Sequence, residues 1–120
     1  MSAEAAGAPE LPHPIPAELA ELIAERFRLL GEPMRIRLLD FLRGGEASVK
    51  ESARELGTSE QNVSKHLGFL LRGGVVGRRK QGNRACYAIT DPEMLELCEA
   101  VCGALARRHA DVGQLLGVGR

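Results

Sequence analysis

The 120-residue sequence predicts a mainly α-helical domain with one small β-hairpin, in the order helix, helix, helix, helix, hairpin, helix. Aromatic residues are only 3% of the chain and tryptophan is absent, so the core must consist of aliphatic side chains, which suits helices. Apolar residues recur at helical spacing through most of the chain. Only around Gly82-Asn83 does the spacing change, and that dipeptide between two short extended runs is typical of a hairpin.

Composition limits the class of protein. Hydrophobic residues are 44% and charged residues 27% of the chain, which is typical of one globular domain. No apolar run approaches the roughly 18 residues that span a membrane, and the N-terminus does not resemble a secretory signal. Three cysteines in such a chain favour free thiols or metal ligands over disulfides. We therefore expect one cytoplasmic domain.

The first half of the chain predicts a flexible arm and two helices. Four of the six prolines lie in residues 1–16, which we expect to form a flexible arm. The first helix is predicted over about 17–30 and ends at Gly31. Pro33 suits the first turn of the second helix, which ends at the Gly44-Gly45 pair.

Capping patterns predict where the next two helices begin. Ser48 has Glu51 three residues later, which is a capping box and predicts the start of a third, short helix. Thr58 has Gln61 at the same spacing and predicts a second capping box at the start of the fourth helix, over 59–72.

Asp91-Pro92 predicts the start of the last helix, with Asp91 as its N-cap and the helix over about 92–110. The folded domain is accordingly predicted over 17–111. Residues 112–120 are predicted to form a flexible, glycine-rich tail.

The fourth helix begins with polar residues on nearly every side, which a helix that only packs would not need. Its short turn from the third helix predicts a helix-turn-helix, and the hairpin that follows adds a basic wing. Residues 58–90 carry a net charge of +5 although the whole chain is neutral. Short polar side chains suit base edges in a major groove, and clustered cations suit phosphates, so the sequence predicts DNA binding. The candidate residues are Ser59, Glu60, Gln61, Asn62, Ser64, Lys65, Arg78, Arg79, Lys80 and Arg84.

Three runs resemble the ArsR-type (ArsR/SmtB, arsenical-repressor-type) winged helix-turn-helix repressors. They are 29-LLGEPMRIRLLDFL-42, 56-LGTSEQNVSKHLGFLLRGGVV-76 and 78-RRKQGNRACYAI-89. The resemblance covers roughly residues 17–110. It implies a homodimer, paired through its first and last helices, that represses transcription from a palindromic operator under the control of a ligand.

The resemblance also implies residue roles. Bases would be contacted by Val49, Glu60, Gln61, Ser64 and Lys65, although the acid at Glu60 fits only if it accepts from a cytosine amino group. The family's usual histidine falls at His66, which we expect to be a structural residue. The candidate dimer residues on the first and last helices are Leu19, Leu22, Leu95, Val101 and Leu105.

Two known metal sites of the family are not matched, because the third helix lacks cysteine and the last helix lacks the carboxylate and histidine pattern. Instead, Cys98, Cys102 and His109 would share one stripe of the last helix, and His13 in the arm could close over them. Thiols and imidazole suit nickel or zinc. The same stripe also suits apolar packing at a dimer interface, where free cysteine behaves as a small hydrophobic residue.

Three kinds of control therefore remain open: a divalent transition metal such as nickel or zinc, a thiol-reactive signal, or a partner protein without a small ligand. An enzyme is disfavoured, since the chain has no phosphate-binding glycine loop, nucleophile elbow or evident carboxylate pair. The rival class is a winged-helix module for protein interaction, which would not need the basic wing.

Overall fold

The structure, a computed structural model, describes residues 9–117, with residues 110–112 described by their backbone only. The parts of the predicted arm and tail at 1–8 and 118–120 lie outside the described residues. None of the described helices is long and apolar enough to cross a membrane. The elements in chain order are α1 Ala17–Leu29, α2 Pro33–Leu42, β1 Ala47–Ser48, α3 Val49–Leu56, α4 Glu60–Arg72, β2 Val76–Gln81, β3 Arg84–Ile89, α5 Glu93–Arg108 and α6 Ala110–Leu115.

The predicted hairpin is one part of a three-stranded antiparallel sheet with the strand order β1-β3-β2. Strand β1 pairs Ala47 with Tyr87 and Ser48 with Cys86, which joins the start of α3 to the hairpin. The sequence did not predict β1 because two residues are too short to show an alternating pattern. Its consequence is that the hairpin is attached to the helix-turn-helix rather than projecting alone.

The core lies between α2, α4 and the sheet. Leu38 and Leu39 of α2 are fully buried, and so are Leu67 and Leu70 of α4. Val75 continues this core into the sheet. These apolar positions hold one side of α4 against the domain and leave its other side free for contact.

The capping box predicted for α3 is confirmed. The backbone N–H of Glu51 donates to Ser48 Oγ at 3.1 Å, and the backbone N–H of Ser48 donates to Glu51 Oε1 at 2.8 Å. Gly57 then ends α3 in the left-handed conformation, with φ of +67°. This turn sets the direction in which α4 leaves the helix-turn-helix.

The capping box predicted at Thr58 and Gln61 is wrong by one residue. Ser59 is the N-cap of α4, and its Oγ accepts from the backbone N–H of Asn62 at 3.0 Å. Thr58 Oγ1 instead accepts from the side-chain nitrogen of Asn62 at 3.1 Å. The next hydroxyl residue along the chain, Ser59, has the extended backbone of an N-cap and takes this role.

The start of α5 also differs from the prediction. Pro92 occupies the N-cap position without a side-chain hydrogen bond, so Asp91 does not cap the helix. The Asp91 carboxylate is held by Arg26 of α1, whose Nη2 donates to Oδ2 at 2.5 Å. The Asp91 side chain therefore binds an arginine that is distant in sequence and does not bind the first turn of α5.

The described part of the C-terminal segment contains a helix that the sequence did not predict. Helix α5 ends at Arg108, and His109 adopts an extended backbone with φ of −132° and ψ of 117°. A sixth helix, α6, follows and includes residues 112–115 of the predicted tail. The backbone N–H of His109 still donates to the carbonyl oxygen of Leu105 at 2.9 Å, so His109 closes the last turn of α5.

Candidate nucleic-acid interface

The exposed side of α4 carries three polar residues on one stripe. Gln61, Ser64 and Lys65 are exposed, whereas Val63 and Leu67 on the opposite side are fully buried. Positions three and four apart lie on one helical face, so the three side chains can enter the same groove. This placement agrees with the predicted roles, while their contact with DNA stays a prediction.

The other polar residues of this turn are used differently. Ser59 and Asn62 are joined by the capping hydrogen bond, and the side chain of Asn62 is tied to Thr58. Both retain acceptor or donor capacity toward a ligand, but their geometry is set locally. Glu60 is exposed at the first turn of α4, where an acid is favoured by the helix dipole.

An open cleft lies between α3, the start of α4 and the tip of the hairpin. Val49 and Glu60, both predicted to contact bases, line it together with Arg84. Val49 is half-buried and packs against the core. Lys50 and Arg54 of α3 line the same cleft and were missed. Because these two basic residues are four apart on the helix before the predicted recognition helix, their spacing could have predicted a shared basic face.

The hairpin forms a basic wing in which β2 and β3 pair from Val76↔Ile89 to Gln81↔Arg84. Gly82 opens the two-residue loop with φ of +66°, a conformation that favours glycine at the first position of such a turn. Cys86, for which the sequence offered no partner, is buried in β3 with its Sγ 3.7 Å from Gln81 Oε1. The wing therefore ends in a tight two-residue turn, and its strand β3 is partly buried against the domain.

The four predicted wing cations fall into two pairs. Arg79 is joined to Glu46, and Arg84 Nη2 lies 3.2 Å from Glu51 Oε1. Arg78 and Lys80 are exposed, with no acidic partner among the described side chains. All four can reach solvent, but only these last two lack an ion pair within the described residues.

His66 lies on the buried side of α4 and is 5% exposed. Its Nδ1 is 3.1 Å from Arg35 Nη1, and its Nε2 is 3.8 Å from Glu32 Oε1. Burial lowers the pKa of His66 below its ordinary value, an effect that the nearby Glu32 carboxylate opposes. These contacts agree with the prediction of a structural histidine, because the imidazole does not face the exposed side of α4.

A second apolar surface lies on α1 and α5. Leu22 is 61% exposed, Val101 49% and Leu105 41%, and all three belong to the predicted dimer contact. The other two predicted residues, Leu19 and Leu95, are half-buried, and Leu95 packs against the core. The structure thus leaves an apolar face on both helices that the resemblance assigns to dimerisation.

The four candidate metal ligands do not form one cluster within a single chain. Cys98 and Cys102 are half-buried and both line a groove between α2 and α5, but His109 lies beyond the end of α5. Among the described residues, no three histidine, cysteine or acidic side chains are placed to hold a metal together. Burial, followed by the nearby Glu99 charge, raises the pKa of the Cys98 thiol. Cys98 and Cys102 therefore form a pair of thiols in one groove, while His109 at the end of α5 and His13 in the exposed arm stay predicted ligands.

Comparisons with known proteins agree with this arrangement. Residues 30–79 match the family model described as a helix-turn-helix domain. The chain is 39% identical over 94 residues to the uncharacterized HTH-type transcriptional regulator Rv0081 of Mycobacterium tuberculosis, covering 78% of this chain and 82% of that protein. The crystal structure of Rv0081 superposes with a TM-score of 0.69 and covers 78% of this chain and 94% of its own.

Two further matches bear on assembly and ligand. The solution structure of the homodimeric winged helix-turn-helix DNA-binding domain of Mb0332 from Mycobacterium bovis, described as a possible ArsR-family regulator, is 28% identical with a TM-score of 0.67. It covers 78% of this chain and 89% of its own. A probable mercury resistance operon repressor of Streptomyces lividans is 34% identical over 83 residues, which is 69% of this chain and 66% of that protein.

Proposed function

Since this chain belongs to the ArsR-type family of winged helix-turn-helix transcriptional regulators, we propose that it is a homodimeric repressor of a palindromic operator, acting in the cytoplasm. It is a DNA-binding regulator and not an enzyme. The observation that carries the proposal is the exposed stripe of Gln61, Ser64 and Lys65 beside a basic wing.

Homodimer formation is supported by the burial along the two outer helices. Only Leu29 is buried along α1, and only Met94 along α5. Helices whose apolar side chains are mostly exposed or half-buried in one chain gain stability when a second copy covers them. A two-fold dimer would place two α4 helices about one DNA turn apart, which matches the symmetry of a palindrome.

Substitution of the exposed stripe tests sequence-specific binding. We expect Gln61→Ala and Lys65→Ala each to weaken binding to the chain's own promoter DNA by about 1–3 kcal/mol, measured by fluorescence anisotropy. Gln114→Ala, an exposed glutamine on α6, is the matched control. Equal affinity for promoter and mixed-sequence DNA, together with unchanged binding by both variants, would contradict the proposal.

We also propose that the groove between α2 and α5 is the regulatory site. Cys98 and Cys102 face it with Ile36, Asp40 and Arg43 nearby. Two thiols from one helix supply part of a nickel or zinc site, and a partner subunit's pair would complete four ligands. The named role of the Streptomyces relative in mercury resistance supports a thiol-based response, because thiolates favour soft metals.

A metal titration of the reduced protein tests this site, with promoter binding as the readout and nickel, zinc and mercuric ion as separate probes. We expect one of the metals to change the affinity for DNA in the wild type but not in Cys98→Ser or Cys102→Ser. Cys86→Ser, in the wing, is the control and should respond like the wild type. His109→Ala reports whether the histidine takes part. A response that survives loss of both groove thiols would exclude this site.

If no metal acts, treatment with a thiol oxidant addresses the alternative signal. Cys98 and Cys102 are four residues apart on one helix, where a disulfide within the chain would be strained. Oxidation is therefore expected to link two subunits, which non-reducing electrophoresis would detect. The link should be absent when both cysteines are replaced by serine.

A further inference from the structure

We propose that Glu46 and Glu51 each form an ion pair with one wing arginine, in the place that a DNA phosphate would otherwise take. These ion pairs thereby limit the positive charge that the wing offers to DNA. This inference rests on contact between the wing and DNA, which belongs to the proposed function. The glutamates lie on either side of the short strand β1, and each holds an arginine from a different strand of the wing.

The first pair joins Arg79 of β2 to Glu46. Arg79 Nε donates to Glu46 Oε1 at 3.3 Å, while Nη2 donates to Oε2. Two parallel contacts of this kind are the geometry that a guanidinium also adopts on a phosphate group. The hydrogen bonds to Glu46 raise the pKa of Arg79, which agrees with a close pair. Glu46 therefore occupies the donors that would otherwise be available to DNA.

The second pair joins Arg84 of β3 to Glu51 at 3.2 Å. The same carboxylate is fixed in place by the capping box, where it accepts from the backbone N–H of Ser48. This hydrogen bond is the main cause of the lowered pKa of Glu51, and the Ser48 side chain and Arg84 contribute less. Glu51 consequently remains ionised and positioned whether or not the wing moves.

Strand register separates the four cations by face. Arg79 is paired across the strands with Cys86, and Arg84 is two residues from Cys86 on the same strand, so both lie on one face of the hairpin. Arg78 and Lys80 alternate to the opposite face. The face that carries Arg79 and Arg84 is thus neutralised by two acids, while the face that carries Arg78 and Lys80 has no ion pair among the described residues.

This arrangement has a consequence for DNA recognition. Phosphate contacts strengthen binding to every sequence equally, because they carry no information about the bases. If two of the four wing cations are held in ion pairs within the chain, a larger share of the affinity for DNA depends on contacts made by α4. The glutamates would then act against strong binding to random DNA.

The salt dependence of DNA binding tests the inference. Affinity for a mixed-sequence duplex of about 30 base pairs is measured over a range of salt concentrations for Glu46→Gln and Glu51→Gln. Each released arginine should gain one phosphate, so the slope of log K against log salt should steepen by about 0.9. Glutamine still accepts a hydrogen bond in a capping box, which keeps the start of α3 intact in Glu51→Gln.

Two further variants separate a released arginine from a simple loss of negative charge. Glu55→Gln, on the exposed side of α3, removes the same charge and should leave the slope as in the wild type. Adding Arg79→Ala to Glu46→Gln should return the slope to the wild-type value. A gain that persists in this double variant, or that Glu55→Gln reproduces, overturns the inference.

The mixed-sequence duplex also keeps this test independent of the operator. A wild-type protein that does not prefer its promoter would contradict the proposed repressor function, yet the slopes would still report on the wing. A wild-type protein that does prefer its promoter, with identical slopes for Glu46→Gln, Glu51→Gln and wild type, would reject only the role of the glutamates.

Discussion

Arg35 connects three parts of the molecule through one side chain. Its guanidinium donates to the backbone carbonyl oxygens of Leu29 and Arg28, both at 2.9 Å. It also contacts His66 and lies 4.2 Å from the centre of the Phe69 ring. A planar group with several fixed donors can satisfy all of these positions together, which the point charge of lysine cannot do. The end of α1 is thereby held against α4.

Substitution by alanine should change the stability of the protein in opposite directions at Gly68, within α4, and at Gly73, its C-cap. A Cβ added at Gly73 would lie 2.5 and 2.8 Å from the methyl carbons of the buried Leu29, whereas at Gly68 the nearest group is Arg72 Nη1 at 3.5 Å. We expect Gly73→Ala to lose about 1–3 kcal/mol of unfolding free energy through overpacking. Gly68→Ala should gain about 0.5–1 kcal/mol because alanine favours the helix. Urea denaturation measures both, and equal effects of the same sign would contradict this packing.

His66 should make stability depend on pH. Its pKa is lower in the folded chain than the ordinary value near 6.5, because burial disfavours the charged form. The unfolded chain therefore binds more protons than the folded chain below that value. The contribution of His66 to the free energy of unfolding is thus fully present above about pH 6.5 and is lost as the pH drops. Arg35 and Lys65 add to the lowering of the pKa, and Glu32 opposes it.

Unfolding midpoints of wild type and His66→Gln, compared between about pH 7.5 and 5.5, check this contribution. Carboxylates titrate in both proteins, so the difference between the two curves isolates His66. We expect the wild type to lose more stability than the variant on acidification. Parallel curves for the two proteins would refute the prediction.

At the scale of elements, the start of α4 combines folding and contact in the same few residues. Ser59 satisfies a backbone N–H of the first turn, and Gln61 remains free on the exposed stripe. Strand β1 has a comparable double role, since it leads directly into the capping box of α3 and also pairs with the wing. The helix-turn-helix and wing are therefore one unit.

Capping can be tested by comparing two adjacent hydroxyl residues. Ser59→Ala removes the acceptor for the backbone N–H of Asn62 and should cost about 1 kcal/mol of unfolding free energy. Thr58→Ala removes only a side-chain partner of Asn62 and should cost less. Thermal unfolding followed by circular dichroism gives both values. A larger loss for Thr58→Ala would restore the cap first expected from the sequence.

At the scale of the whole molecule, one chain is more extended than its length requires. The radius of gyration is 16.8 Å, against about 14 Å for a compact domain of this size. The helices α1 and α5 contribute few buried residues, and their exposed leucines and valine lie outside the core. A second chain packed on these helices would complete the burial.

Charged substitutions on this face test the proposed dimer. Leu22→Asp and Leu105→Asp should shift the protein toward monomers in sedimentation equilibrium, because an unpaired buried carboxylate strongly opposes association. Promoter affinity should fall with the dimer, since one half-site provides fewer contacts. Leu115→Asp, at an exposed leucine on α6, is the control and should remain dimeric. Monomers in the wild type would argue against the assembly itself.

The order of α1 to α5, the wing with its Gly82 turn, and the Ser48 capping box could all be predicted from the sequence, because each depends on residues close together in the chain. Only the tertiary structure showed that Asp91 pairs with Arg26 and that the wing arginines pair with Glu46 and Glu51. Spacing along a chain specifies periodic structure and local hydrogen bonds, whereas ion-pair partners depend on which surfaces folding brings together.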